Sequence, residues 1–424
     1  MDVKLSPILV AFVLLLGACG EPETTLPVSS SRPARPVAGK QLYLGTSSGA
    51  GLRAIDPRTL EDLPGPPLLA VADSRSSSFV VSADGATGAV MDYSYERGYG
   101  PSPSGVLVRV FDLRTGAQKA QFNPPRAVIV DALSPDGTKL FARDWPPAQL
   151  TAGRAILDSA MGHELETLPA LAVGGLTTLR IDYSTLRAYG LAVADASGKA
   201  TGPQSAAFVA LDLRTGRELR RLPLDGLVAG VWETEIGGER RQSELGPGLA
   251  LSPDGTRVAI LHADGDWLTL IDTASLAALW TKRLSRPVSL RKLIGLGPLI
   301  AEAKTNYESR SWVLSFSPDG NRLFAMEQTV QLEGEAAARY ATPRLRSIDI
   351  AKAQIQSELV PADRVSWATP SPDGSALYVM LQRPPPTASN GYLLLRLDAA
   401  TLTATEIARS LDDYRELRIL ALPR

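Results

Sequence analysis

Two short turn signatures alternate along most of this chain and constrain its fold more than any other feature. The first is Ser-Pro-Asp-Gly, at 134–137, 252–255, 317–320 and 371–374, with Ser82-Ala83-Asp84-Gly85 as a near match. Each copy sits between two short apolar runs, as in ALSPDGTKLFA and ALSPDGTRVAIL. Proline fixes one φ angle, aspartate bonds back to its own backbone, and glycine takes the positive φ that closes a tight hairpin. The second signature is an apolar strand ending in aspartate and followed by a polar turn, clearest in VRVFDLRTG and FVALDLRTG. Its aspartates are Asp56, Asp112, Asp158, Asp212, Asp272, Asp349 and Asp398, seven copies spaced 46 to 77 residues apart.

One turn of the first type lies between successive copies of the second. In the interval from Asp158 to Asp212 the degenerate RIDYSTLRAYGL takes its place, with Tyr183 to Leu186 at the turn. Each unit therefore reads as four strands joined by two tight turns. Such units repeated radially make an all-β, seven-bladed β-propeller of four-stranded antiparallel blades. Radial repetition also lets 424 residues escape the limit of ~250 to 300 residues at which a single core stops growing. The 36 Gly and 32 Pro exceed average usage and supply the turns.

These residues carry a family resemblance. LYLGTSSGAGLRAIDPRTLEDL, at 42–63, resembles a YVTN-type propeller repeat, and the Ser-Pro-Asp-Gly copies resemble those of bacterial propellers with WD-like repeats. The resemblance covers about 40–423 and implies the fold rather than an activity, because related propellers include surface-layer proteins, assembly scaffolds and lactone hydrolases.

The N-terminus speaks to compartment. Lys4 precedes an unbroken apolar run from Ile8 to Leu16, the order of a secretory signal peptide, and nine residues are too few to span a bilayer as a helix. Leu16-Gly17-Ala18-Cys19 resembles the lipobox of bacterial lipoproteins, which implies removal of 1–18, a diacylglycerol on Cys19 and attachment to a membrane on its extracytoplasmic side. Cys19 is the sole cysteine, so no disulfide staples the fold. Residues 19–40 are rich in Pro, Ser and Thr and read as a tether of roughly 70 Å when extended, leaving 41–424 for the propeller.

Ring closure follows from the ends of the repeat. The first unit begins at KQLYLG, which matches the second strand of other units, and RELRILAL at 415–422 is an alternating apolar run with no later partner. It supplies the missing inner strand of the first blade and removes an exposed edge. Both tight turns of a blade fall on one face, because antiparallel strands reverse direction. The opposite face receives the long connections 92–105, 144–153, 225–248, 286–311, 327–342 and 383–391. Long loops on a rigid scaffold carry binding, so function is expected there.

Within those connections Tyr93, Tyr95, Arg97 and Tyr99 crowd seven residues, Trp145 lies at the start of another, and the one from Asp225 contributes Trp232. Aromatic residues and arginine pair a large contact area with a polar tip, the chemistry of interface anchors. Tyrosines packing between blades are the simpler reading of the same pattern.

Few residues suggest catalysis. His163 follows a second-type turn, and His262 opens HADGDW, where Asp264-Gly265-Asp266 reads as a hairpin before it reads as a cation site. Two histidines and no free thiol make no zinc cluster, so no metal and no cofactor are expected. Asp131 and Asp363 with Arg364 are the residues a lactonase-like hydrolase would use. The 44 Lys+Arg against 45 Asp+Glu give a net charge of -1, which excludes the cationic field of a nucleic-acid binder. The sequence reads as a lipid-anchored, noncatalytic binding or scaffold module for an envelope protein or extracellular ligand. A lactonase-like hydrolase and a structural envelope-layer protein are its alternatives.

Overall fold

The signatures close as hairpin turns, each through side chains the motif itself supplies. The structure is a computed structural model that describes residues 42–46, 52–62, 77–82, 85–96, 100–113, 115–144, 150–195, 200–236, 239–285, 307–333, 337–340, 344–361, 364–371, 373–382, 392–410 and 417–419. In the first turn type Ser134 Oγ donates to Asp136 Oδ1 at 2.6 Å and accepts the Lys139 N–H at 2.9 Å. The same two bonds recur at Ser252, Ser317 and Ser371. The Ser134 hydroxyl leads the contacts that hold the Asp136 carboxyl down to about 2.

In the second type the aspartate caps the turn, as where Asp212 Oδ1 accepts the Arg214 and Thr215 N–H groups at 2.7 and 3.0 Å. The fourth residue after each aspartate has positive φ. It is glycine at 116, 162 and 216, but Leu60 (φ 58), Leu276 (φ 53), Ala353 (φ 49) and Leu402 (φ 54) occupy it elsewhere. A left-handed leucine costs about 1–2 kcal/mol, which full burial of the side chain, contributing about 1.5–3 kcal/mol, offsets. Leu60 and Leu402 are buried accordingly. The expected turn at 183–186 is present, but it borrows the second chemistry: Asp182 Oδ1 accepts the Ser184 N–H at 2.9 Å and Leu186 has φ 53.

These turns join strands into meanders. The first set has β1 (Leu42–Thr46) and β2 (Leu52–Ile55). The next is β3 (Ser77–Val81), β4 (Thr87–Glu96), β5 (Gly100–Asp112) and β6 (Gln118–Phe122), followed by β7 (Val128–Leu133), β8 (Lys139–Asp144), β9 (Arg154–Asp158) and β10 (Glu164–Leu168). Then come β11 (Leu176–Asp182), β12 (Arg187–Ala192), β13 (Gln204–Asp212) and the long β14 (Glu218–Ile236). After β15 (Glu239–Gly246) follow β16 (Gly248–Leu251), β17 (Arg257–Leu261), β18 (Trp267–Asp272) and β19 (Ala277–Arg283). Next are β20 (Tyr307–Phe316), β21 (Arg322–Glu333), β22 (Ala337–Tyr340), β23 (Leu345–Asp349) and β24 (Gln354–Leu359). The last are β25 (Arg364–Pro370), β26 (Ala376–Gln382), β27 (Tyr392–Asp398), β28 (Ala404–Ser410) and β29 (Leu417–Ile419).

The chain is an all-β propeller of antiparallel four-stranded sheets. β3 to β6, β7 to β10, β16 to β19 and β25 to β28 are separate sheets, and β11 to β14 and the group β20, β21, β23, β24 are two more meanders joined through β15. β29 pairs antiparallel with β1, Leu44 opposite Ile419, so the C-terminal strand closes onto the first set. First strands neighbour one another around the axis, β11 beside β16, β16 beside β20, β20 beside β25 and β25 beside β29.

The core lies in layers between successive sheets. Tyr189, Leu191, Phe208 and Ala210 pack on Leu249, Val258 and Ile260, and Leu261, Leu268 and Leu270 pack on Trp312, Leu314 and Ile348. The tight-turn face is also knitted by backbone bonds within each sheet: Leu113 N donates to Ala86 O, Ser159 N to Thr138 O and Thr273 N to Thr256 O.

Three connections expected as loops are largely strand. Residues 92–96 and 100–105 continue β4 and β5 as paired strands, 225–248 contain the end of β14 and all of β15, and 327–342 contain the end of β21 and all of β22. Strands that leave the core in register keep satisfying each other's backbone groups, which an open loop must leave to water.

Candidate functional site

The strands that run on past the core bring together most of the chemistry of the long-connection face. β15 runs into β16 through Pro247, so it extends the first strand of its sheet past the core. There it pairs in parallel with the start of β20, Gln242 opposite Tyr307 through Gly246 opposite Ser311. On its other edge it pairs antiparallel with the end of β14, from Gly230 opposite Leu245 to Ile236 opposite Glu239. β20 continues the ladder to β21, and β21 to β22. The result is a five-stranded wall, β14, β15, β20, β21, β22, standing on first strands of two neighbouring sheets. Close approach needs glycine: a Cβ on Gly248 would lie 2.6 Å from Leu314 Cγ, and one on Gly246 2.7 Å from Ser311 Cβ.

The root of the wall is an arginine-rich seam. Glu327, with its side chain 5% exposed, accepts Arg310 Nε at 2.6 Å and is clasped by Arg344 through Nε and Nη2. Burial pushes the Glu327 carboxyl up, but Arg344 and Arg310 outweigh it and hold it below the ordinary value. The hydrogen bond to Glu327 raises Arg344 in turn. Beneath them Arg346 is fully buried. Its Nε bonds Glu358 Oε2 at 2.6 Å, its Nη1 donates to the Gly265 carbonyl, and its guanidinium lies 5.0 Å from the centre of the Trp312 ring. Trp312 Nε1 donates to Ala263 O at 3.3 Å. These contacts tie the β17–β18 turn to the next sheet, so the seam holds the wall in place.

Of the residues expected to bind, Tyr93 and Tyr95 lie on the extension of β4, at register positions opposite Val106 and Pro101. Trp232 is on the wall, half-buried, opposite Ser243 and bridged in parallel to Ala200. Cys19, Arg97, Tyr99, Trp145 and Asp363 lie outside the described residues, and Arg364 opens β25.

Asp131, on the first strand β7, accepts Arg143 Nε at 3.0 Å and the Tyr183 hydroxyl at 3.0 Å. Burial pushes its carboxyl up, and Arg143 and Tyr183 offset this only in part. Tyr183 stacks on Phe141 at 4.5 Å and belongs to the next sheet, so this group too bridges sheets. His262 is buried, its Nε2 3.0 Å from Thr269 Oγ1, and burial lowers its pKa. Among the described residues no group of three His, Cys, Asp or Glu is placed to hold a metal ion.

The sequence does not single out Arg310, Trp312, Glu327, Arg344 or Arg346, nor Arg180, Val313 and Trp367 on first strands. Val313 and Trp367 are exposed although their strands lie innermost. Glu327 carries one signal, a carboxylate directly after the apolar run LFAM of a second strand.

No family model matches the chain, and no curated protein matches it. Among solved structures it is similar to the periplasmic gluconolactonase PpgL of Pseudomonas aeruginosa, at 15% identity and a TM-score of 0.46 over 91% of this chain and 99% of that one. It is similar to the dihydro-heme d1 dehydrogenase NirN at 12% identity and 0.46, over 93% and 78% of the two chains. The hydrazine synthase of Kuenenia stuttgartiensis follows at 16% and 0.41, over 76% of each. Likeness at this level says nothing of activity.

Proposed function

We propose that the protein is a lipid-anchored, extracytoplasmic, seven-bladed propeller that binds an envelope protein or extracellular ligand through its long-connection face, without catalysis. The five-stranded wall carries this reading. It is built structure on one face only, and nothing in the ring needs it for closure. Six four-strand meanders and the set joining β29, β1 and β2 support the count of seven. In a seven-membered ring the raised β4–β5 hairpin of the second blade stands across the axis from the wall on the fifth and sixth. Two raised elements facing each other over an opening form a cleft, the usual shape of a binding site.

The test is capture from native envelope with the full chain as bait. Replacing Tyr93, Tyr95, Arg97 and Tyr99 together with alanine is expected to weaken capture, since one buried aromatic anchor contributes ~2 kcal/mol or more. The comparison set, Arg114, Arg214 and Arg217 to alanine on the tight-turn face, is expected to leave it unchanged. Loss of capture in the comparison set alone, with both variants melting like the parent, assigns binding to the other face.

A further inference from the structure

The meanders bulge at a shared position, on the outermost strand just after the tight turn. The register between third and fourth strands slips at Lys119, Leu165, Leu219, Leu279 and Gln356, in each case the seventh residue after the turn aspartate. A bulge leaves that residue without a partner and re-aims its side chain. In three consecutive meanders it is a leucine open to solvent: Leu165 at 46%, Leu219 at 45% and Leu279 at 52%. The sheets that carry them pack on one another in chain order, so the leucines line one arc of the rim. The neighbouring meanders put Lys119 and Gln356 in that place, which gives the arc its ends. One exposed leucine needs no explanation, but its repetition at one structural position does.

Charge along the arc is sorted as well. On β10 and on 218–224 of β14 each carboxylate faces an arginine: Glu164 faces Arg126 at 3.5 Å, Glu166 faces Arg214 at 3.9 Å, and Glu218 faces Arg221 at 2.8 Å. β19 carries no carboxylate. Arg220, Lys282 and Arg283 are exposed and have no carboxylate partner among the described residues. Lys282 instead lies 5.2 Å from the ring centre of the partly buried Trp280. The next acidic side chains, Asp225, Asp264 and Asp266, lie toward the long-connection end of these sheets. The arc therefore offers apolar side chains and uncompensated positive charge on sheet edges.

We propose that the rim formed by the outer strands β10, β14 and β19 rests on an anionic phospholipid surface, with Leu165, Leu219 and Leu279 entering the headgroup layer and Arg220, Lys282 and Arg283 facing its phosphates. Exposed leucines among lysine, arginine and tryptophan are the chemistry of a membrane interface. A fluid leaflet adapts to a curved rim, whereas an extended peptide would have to add to edges that are bulged and charged, the features that deter strand addition. The choice of lipid over a soluble acidic partner rests on the lipid-anchored reading, in which a tether of roughly 70 Å keeps a leaflet within reach.

The experiment uses the full chain carrying Cys19→Ser, so that no acyl chain contributes, and its co-sedimentation with vesicles of phosphatidylcholine alone or with about a third phosphatidylglycerol. Comparing the two vesicles cancels whatever the apolar run at 8–16 adds. Anionic vesicles are expected to bind roughly a hundredfold more tightly, at about fivefold per cation, and to release the chain as salt rises from about 0.1 to 0.5 M. Replacing Arg220, Lys282 and Arg283 together with serine should abolish that preference. Replacing Leu165, Leu219 and Leu279 together with glutamine should weaken anionic binding roughly tenfold or more. Serine at Arg58, Lys119 and Lys139, exposed cations of other meanders, removes the same charge and should leave binding within about threefold of the parent. All three variants change exposed positions and should melt like the parent. Equal binding to both vesicles overturns the proposal, as does parental binding by either rim variant or an equal loss in the comparison set. Early melting of the glutamine variant would mean that the leucines hold structure, which overturns it too. A soluble polyglutamate peptide that binds more tightly than the vesicles assigns the arc to an acidic protein instead. Fatty-acid labelling of the parent at Cys19 reads the anchor alone, so the anchor and the rim can fail separately.

Discussion

Glu327 tests whether the arginine seam holds the wall to the ring. Its carboxylate is 5% exposed, while the side chains of its partners Arg310 and Arg344 are 27% and 31% exposed. Glu327→Gln keeps shape and one acceptor but removes the charge, leaving two guanidiniums to repel each other. Breaking a fully buried pair costs about 3–5 kcal/mol; with both arginines about a quarter to a third open to water, solvent screens part of that and about 2–3 kcal/mol is expected. The measurement is urea unfolding at pH 7, read as a lower midpoint at unchanged slope.

The pH dependence has a definite sign. Glu327 is held below its ordinary value in the folded chain, so its contribution is complete above the unfolded value of about 4.3 and is lost as pH falls through the folded value. The gap between parent and Glu327→Gln should therefore persist from pH 7 to about pH 5 and narrow as pH falls below the unfolded value toward and through the folded one. A gap under about 1 kcal/mol at pH 7, or one as large at pH 3 as at pH 7, refutes the electrostatic account. Replacing all three, Arg310→Met, Glu327→Leu and Arg344→Met, should recover most of the loss, since apolar substitutes for an entire buried ion group are often neutral.

Other outcomes follow from the turns and the ends of the chain. Deleting residues 415–424 removes β29 and bares the edge of β1, so the truncated chain should aggregate or melt early; an unchanged Tm argues against closure. Cys19→Ser should release the protein from the membrane fraction and abolish labelling by a radioactive fatty acid, and persistent labelling ends the lipoprotein reading. Leu60→Gly gives up a buried side chain and should destabilise by about 2–4 kcal/mol despite relieving the left-handed backbone. Leu276→Gly, at the same turn position but only partly buried, should lie within about 1 kcal/mol of the parent in chemical unfolding.

The turns are legible in the sequence because their chemistry is local. Every bond that closes Ser134 to Lys139 lies within six residues, so spacing alone reveals it. The left-handed leucines are not, because Leu60 and Leu402 take a glycine's position for the sake of burial, which a sequence does not display. The parallel pairing of β15 with β20 joins segments 65 residues apart, Gln242 with Tyr307, and both are polar enough to read as loop. Arg346 sits in LRSID, where it passes for a surface arginine; only the facing Glu358, Gly265 and Trp312 make burial tolerable. Tyr93 and Tyr95 read as loop for a similar reason, since a ladder that leaves the core has no apolar alternation to announce it.

The confinement of long connections to one face has a cause in the turns. On the tight-turn face the residue after six of the seven aspartates donates its N–H across the sheet to a carbonyl of the other turn, as Leu213 does to Leu186 and Ala399 to Ser375; Pro57, after Asp56, has no N–H to give. Lengthening either turn breaks that cross-link along with the aspartate cap, a loss of several hydrogen bonds at about 1 kcal/mol each. On the other face strands two and three simply end, and each added pair of residues brings its own ladder bond. Growth there costs little, so insertions accumulate there whatever their use. What marks the wall as more than tolerated growth is its foundation. Passive insertion needs neither two glycines that admit β15 and the start of β16 against β20 nor a buried glutamate clasped by two arginines, and both are present.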